Sequence, residues 1–271
     1  MARTQRRYIR QMPKMYGNLH KPKRDWSAFL RTVKYIAFTC FGLGILYVIF
    51  FGPAFRVRKV DVVGAVLSNP STLADAVPKN GSIWFLPKQT ILQNIAANNP
   101  SVVNVKILRG IPGTVRLEIA ERAPMVVWIS QGKTYLVDDQ GIAFADATPL
   151  LAGQNAALVA KTNTLLHVVD TKNLPVQLGT QIVGLTFVQF TNQLPQLFTQ
   201  YLPSFQIDHS EVAVTTYDLT VFTKQGMQVV FNTLDDAGVQ VRNLTRLVEQ
   251  NKVDITTSHV DLRIDRWAYV R

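Results

Sequence analysis

Few residues in this chain have the type and spacing needed for covalent or metal chemistry. His20, His167, His209 and His259 are scattered, with no HExxH, His-x-His or cysteine partner to complete a metal-ligand set. Asp208, His209 and Ser210 carry an acid, a base and a hydroxyl nucleophile. As consecutive strand residues they point to alternate faces, so they cannot assemble a hydrolytic triad by themselves and read as turn or surface residues. Asp138 and Asp139 could attract a cation, yet the further spaced oxygens of a calcium loop are missing and a turn is the better reading. No Walker loop or dinucleotide fingerprint occurs. The expectation is therefore no catalytic residue, no metal, no cofactor and no enzyme, but a protein that works by contact.

The elements that would position such contacts begin with an uncharged run of 21 residues, Tyr35 to Phe55, which matches the ~20 apolar residues needed to span a bilayer. It is read as one transmembrane helix. A cleaved signal peptide is the competing reading, but its apolar region is only about 7–15 residues long and follows a short lead. Here 34 residues come first. Those residues, 1–34, hold ten basic side chains and one acid, so +9 of the total +11 lies in the arm. By the positive-inside rule the arm is cytoplasmic and residues 56–271 lie outside. Attraction to anionic lipid explains the charge more simply than nucleic-acid binding. The arm lacks apolar periodicity, contains Pro13, Gly17 and Pro22, and is expected to be largely disordered. Trp26 and Phe29 read as interfacial anchors. The single cysteine, Cys40, lies in the span, so the 216 outer residues must be held by their own cores.

The outer part divides near Pro124 into two patterns. In residues 56–124, Val60 and Val62 predict a strand ending at Gly64, and Leu73, Ala76 and Val77 predict a helix capped by Ser71. A second helix follows Pro87, with Ile91, Leu92 and Ile95 on one face. Val103, Val105 and Ile107, then Val115, Leu117 and Ile119, form two alternating runs around Gly110, Pro112 and Gly113, which is a hairpin.

Residues 125–271 read mostly as strands. A hairpin turns at Asp138 to Gly141, and a helix covers Leu185 to Leu202, with Pro195 as a possible break. Strands are expected at Glu211 to Val214, Asp218 to Phe222 and Met227 to Phe231, then a helix over Ala237 to Gln250. His259 to Arg271 alternates Val260, Leu262 and Ile264 with polar residues and predicts one half-buried strand.

The order strand, helix, helix, strand, strand in residues 56–124 resembles a POTRA domain of the type found in the FtsQ and DivIB cell-division family. The residues that carry the resemblance are VRKVDVVGA at Val57 to Ala65, NNPSVVNVKILRGIPGTVRLEIAERAP at Asn98 to Pro124, and Val-Asp-Leu-Arg at Val260 to Arg263. Ser101 and Gly113 are small departures from the family pattern, and Ala145 to Ile182 carries no specific match. The resemblance implies an α+β fold: a transmembrane helix, a POTRA domain and a β-rich domain. It also implies a single-pass protein that joins FtsB (DivIC) and FtsL at midcell and helps control septal peptidoglycan synthesis. By position it places partner contacts at Arg263 and Ile264, and then at Arg266, Trp267 and Tyr269. Trp267 and Tyr269 have two open readings, interface anchors or packed core residues. An unpaired strand edge there could accept a partner strand. Two competing readings are a POTRA protein of a secretion or outer-membrane assembly system and a membrane-tethered cell-wall enzyme. The former present several POTRA copies or a long barrel, and the latter needs a constellation not seen here.

Overall fold

The protein is described by a computed structural model that covers residues 26–152, 156–250, 253, 259–264 and 268–270. It forms two compact units, divided between Gly52 and Pro53. The first is helix α1 (Trp26–Phe51), which exposes apolar side chains on every side and is long and apolar enough to cross a membrane. The helix starts earlier than expected: residues 26–34, read as the end of an irregular arm, are helical. It also stops before Phe55, where Pro53 opens a short 3₁₀ turn, Pro53–Phe55. Residues 1–25 of the arm lie outside the described residues.

The second unit begins with a three-stranded sheet under two helices: β1 (Lys59–Val63), α2 (Pro70–Asp75), α3 (Lys88–Asn98), β2 (Val102–Gly110) and β3 (Thr114–Glu121). Its order is β1-β3-β2, with β1 parallel and β2 antiparallel to the central strand. Period-2 alternation turns Val115, Leu117 and Ile119 of β3 inward, where they meet Leu73, Val77, Ile91 and Ile95 from the helix layer. Burying each such side chain is worth about 1.5–3 kcal/mol.

Three local expectations change here. Asn69, not Ser71, caps α2, accepting the Ser71 N–H at 3.0 Å with Pro70 in the first turn. Leu92 is exposed while Ile91 and Ile95 are buried. A bulge between Val102 and Asn104 buries Val102 instead of Val103.

The remainder of the second unit is one nine-stranded sheet. Its strands are β4 (Val126–Ser130), β5 (Lys133–Val137), β6 (Ala143–Asp146), β7 (Leu166–Asp170), β8 (Ile207–Val212), β9 (Asp218–Thr223), β10 (Gln228–Asn232), β11 (His259–Asp261) and β12 (Tyr269–Val270). They lie in the order β12-β11-β10-β9-β8-β7-β4-β5-β6. Two short helices, α4 (Thr148–Ala152) and α5 (Ala156–Thr162), fall between β6 and β7. Two longer ones, α6 (Leu185–Tyr201) and α7 (Ala237–Glu249), present Phe187, Phe190, Leu194, Phe198, Val241 and Leu244 to one large core. Helix α6 runs through Pro195 without ending, although the Thr191 carbonyl loses its helical donor. Burial decides the outcome, since Phe190 and Phe198 both pack on Phe231, with ring centroids 5.9 and 6.3 Å away.

Strand β8 starts at Ile207 rather than Glu211 because Ile207 and His209 pair with Thr223 and Phe222 of β9, with a register shift at Asp208 between them. Leu166–Asp170, in the stretch without a motif, is an interior strand parallel to both β4 and β8.

At the end of β3, Glu121 ties down the loop after β1 and Arg122 joins the two lobes of the second unit. The Glu121 carboxylate accepts the N–H groups of Val66, Leu67 and Ser68 at 2.8 to 2.9 Å. Arg122 donates to the Pro100 carbonyl at 2.9 Å and forms an ion pair with the nearly buried Asp138. Gly64, at φ 89°, lies so near the chain that an added Cβ would sit 2.3 Å from the Ile119 carbonyl oxygen, a place only glycine can take.

Candidate partner-binding edge

Of the residues expected to make partner contacts, Arg263, Ile264 and Tyr269 lie at the β12 end of the large sheet. Helix α7 sets that end. Asp236 caps it by accepting the Val239 N–H at 2.7 Å, and its buried Val241 and Leu244 fix it against the strands. That packing delivers Gln240 to the sheet margin. Its side chain accepts the Asn232 N–H at 3.0 Å and donates to the Asn232 carbonyl at 2.8 Å. Both backbone groups that β10 would offer the next strand at Asn232 are therefore taken.

This explains why the expected long half-buried strand His259 to Arg271 does not form. Strand β11 pairs in parallel with β10 only through Asp261, followed by one bond from Leu262 N–H to the Val230 carbonyl at 2.9 Å. The alternation ends there: Val260 and Leu262 are buried, but Ile264 is 53% exposed. The chain then returns as β12, antiparallel to β11, with Val270 opposite Val260 and Tyr269 opposite Asp261. The outermost described strand is thus β12, and the Val-Asp-Leu-Arg segment lies one strand inside it.

Arg263 is held by its own domain. Its guanidinium donates to both Asp261 carboxylate oxygens, at 2.7 and 3.0 Å, and lies 3.3 Å from Asp218 on β9. The hydrogen bond from Arg263 pulls the Asp261 carboxyl below its ordinary value, and Asp261 in turn raises the Arg263 pKa. Ile264 lines an open groove of about 760 Å³ with Leu262, Ala268 and, from α7, Val239, Arg246 and Leu247. Tyr269 is 60% exposed on β12. Arg266 and Trp267 lie outside the described residues. Gln240 and Asp218 had no signal in the linear sequence, because what matters is which strand each one meets.

The chemical candidates lie elsewhere and stay apart. His209 contacts its neighbour Asp208 at 2.7 Å and stacks on Phe222, whereas the Ser210 hydroxyl points away and donates to the His167 carbonyl at 2.9 Å. Asp138 serves the β5–β6 turn, accepting the Gln140 and Ile142 N–H groups at 3.0 and 2.8 Å.

The large sheet with its α6–α7 layer matches the family described as cell division protein FtsQ/DivIB, C-terminal, over residues 126–263, more than half of the chain. The chain belongs to the FtsQ/DivIB family. The smaller lobe matches the FtsQ-type POTRA domain over residues 55–122, as its strand and helix order implied. Among individual relatives, the cell division protein FtsQ of Chloroflexus aggregans is 33% identical over 148 residues, 54% of this chain and 50% of that protein. That of Chloroflexus aurantiacus is 33% identical over 154 residues, 56% and 52% of the two chains. The FtsQ of Streptomyces bingchenggensis is 22% identical over 218 residues, 79% and 76%. The chain thus spans about half the length of the two Chloroflexus proteins it matches. The FtsQ/DivIB match ends at Arg263, so the groove and β12 combine matched residues with ones beyond the match. In this member of the family the Val-Asp-Leu-Arg segment has a legible structural task. Val260 and Leu262 enter the core, while Asp261 and Arg263 tie β11 to β9.

Proposed function

We propose that this chain is a non-enzymatic, bitopic component of the division machinery, with its basic arm in the cytoplasm and residues 56–271 outside, acting at the septum. In this reading the β12 margin receives an extended segment of an FtsB/DivIC-like partner that comes with an FtsL-like protein. The assembly then helps control septal peptidoglycan synthesis. Backbone addition to β12 would supply the affinity, and the groove beside α7 would take an apolar side chain or helix face continuous with the added strand. Tethering by α1 confines partners to one surface, so a modest contact gains effective concentration.

The observation that carries this reading is the contrast at the sheet margin. A two-residue outer strand with Tyr269 60% exposed lies beside a groove lined by Ile264, Leu262 and Leu247. Arg263, already anchored to Asp261 and Asp218, orients the turn, while Ile264, Tyr269 and, by position, Arg266 and Trp267 supply contacts.

The test is binding of an FtsB-like partner to the full chain in nanodiscs, comparing wild type with Ile264→Asp and with Tyr269→Pro. A loss of at least tenfold in affinity, with circular dichroism and melting unchanged, is expected for both. Unchanged affinity in both sinks the proposal.

A further inference from the structure

Away from that margin, one end of the POTRA lobe has a composition that folding alone does not require. Three segments distant in sequence converge there. Residues 53–59 run alongside residues 79–85: Val57 N–H donates to the Gly81 carbonyl and Ile83 N–H to the Phe55 carbonyl, both at 2.9 Å. The same segment meets the β2–β3 turn, where Arg58 and Lys59 N–H groups donate to the Gly113 carbonyl at 2.8 and 3.3 Å. Gly113 permits this approach, since a Cβ would stand 2.5 Å from the Arg56 carbonyl oxygen.

Together, residues 53–59, 79–88 and 109–116 contain seven basic and no acidic side chains. Lys59 and Lys79 are neutralised by Asp61 and Asp75, at 2.8 and 2.9 Å. Arg56, Arg58, Lys88 and Arg109 are exposed, and none is in an ion pair with a described acid. Among them stand two large apolar side chains, Phe85 at 64% and Ile111 at 65% exposure. Apolar tips ringed by Arg and Lys are the pattern that settles into a headgroup layer, with the rings and aliphatic tips at the acyl boundary and the cations on lipid phosphates. The chain leaves the apolar helix at Gly52, so covalent connection keeps residues 53–59 within a few ångströms per residue of that layer.

We infer that this end of the POTRA lobe is a membrane-surface foot that binds anionic phospholipid through Arg56, Arg58, Lys88 and Arg109 and inserts Phe85 and Ile111. The foot holds the lobe against the bilayer instead of leaving it on a free tether. The inference does not depend on the partner reading, and its test involves no partner.

The experiment uses the full chain carrying Cys40→Ser and a polarity-sensitive fluorophore on Ile111→Cys. It is reconstituted in nanodiscs of phosphatidylcholine alone or of equal phosphatidylcholine and phosphatidylglycerol, each with a shallow spin-labelled lipid. A fluorophore on Thr199→Cys of α6 is the reference. Quenching at residue 111 should be at least threefold stronger in anionic discs than in neutral ones. It should fall to the neutral level in 0.5 M salt and in the Arg56→Gln/Arg58→Gln/Arg109→Gln variant, because each cation contributes about fivefold in partition at an anionic surface. Quenching in anionic discs no greater than at residue 199 overturns the inference. So does an emission change produced by a soluble polyglycerol-phosphate polymer with no lipid quenching, which would assign the cations to a wall polymer.

Discussion

The two margins of the nine-stranded sheet are built in opposite ways. At β6, the Ala143 N–H and carbonyl are taken by Thr180 and Gly179, at 3.1 and 2.7 Å, and Ile142 bridges Gln181. A loop of the same chain thus covers that edge. At the other end, Gln240 cuts the β10 ladder short and the sheet finishes in two exposed residues of β12. Exposed edges invite unwanted pairing, and proteins commonly cover or shorten them. Here one edge is covered by a loop of the same chain and the other is shortened.

The largest effect is expected where the covered margin meets the POTRA lobe. Asp138 is 3% exposed, carries the β5–β6 turn and pairs with Arg122. Asp138→Ala leaves two N–H groups and a largely buried guanidinium without their acceptor. Urea unfolding should show a loss of about 3 kcal/mol. If the β6 margin is as tightly built as its bonds indicate, the melting transition should also broaden as the two lobes uncouple. A loss below about 1 kcal/mol would mean that the turn is held by something else.

Next comes Gly141→Ala. Gly141 has φ 77°, and an added Cβ would lie 2.0 Å from the Val183 carbonyl oxygen, so the covering loop must move away. The cost is about 2 kcal/mol, from left-handed strain plus displaced backbone. Hydrogen exchange should accelerate at Ala143 and Ile182, whose N–H groups donate to Thr180 and Gly141, and stay unchanged at β10. Acceleration at both margins would show that they are not independent.

Gln240→Ala is the matching cut at the open margin. It strips Asn232 of both side-chain bonds and should cost about 1–2 kcal/mol. Because it also frees the β10 edge at Asn232, exchange should increase at Asn232 while β11 is free to extend. Unaltered exchange at Asn232 would show that another protein group, such as a lengthened β11, takes the place of the amide.

How much of this was legible beforehand follows from the range of the forces involved. The POTRA strand and helix order was readable because Val60, Ile95, Val105 and Leu117 repeat with the period of their own elements. The apolar helix was readable from length alone, although its first turns, from Trp26, were not, since charged residues join a helix without breaking its backbone. Strand β7 escaped notice: Leu166–Asp170 is five residues long and earns its strand geometry from β4 and β8 on either side. Pro195 inside α6 shows the same thing in reverse, with tertiary burial overriding a local breaker. At the β12 margin, the alternation of Val260, Leu262 and Ile264 extended the strand too far. The stop is set by Gln240, whose distance from β11 along the chain hides it.

The smallest expected effect, and the sharpest on the open margin, concerns pH. Asp261 titrates below its ordinary value because Arg263 donates to its ionised form. A carboxyl depressed on folding stabilises the folded state above its unfolded pKa, near 3.8, and loses that contribution as pH falls through the lower folded value. The pair is partly exposed, Arg263 at 43% and Asp261 at 21%, so solvent screening limits it to well under about 1 kcal/mol. Asp261→Asn should therefore barely change the melting temperature at pH 7. It should, however, remove the component of acid destabilisation expected as pH falls below about 3.8. Asp138→Asn should give a large loss at pH 7, and Asp261→Asn a small one that fades as pH falls below about 3.8. Equal pH 7 losses for the two would mean that the outer margin is as firmly held as the covered one, and the asymmetry on which the proposed partner addition rests would be gone.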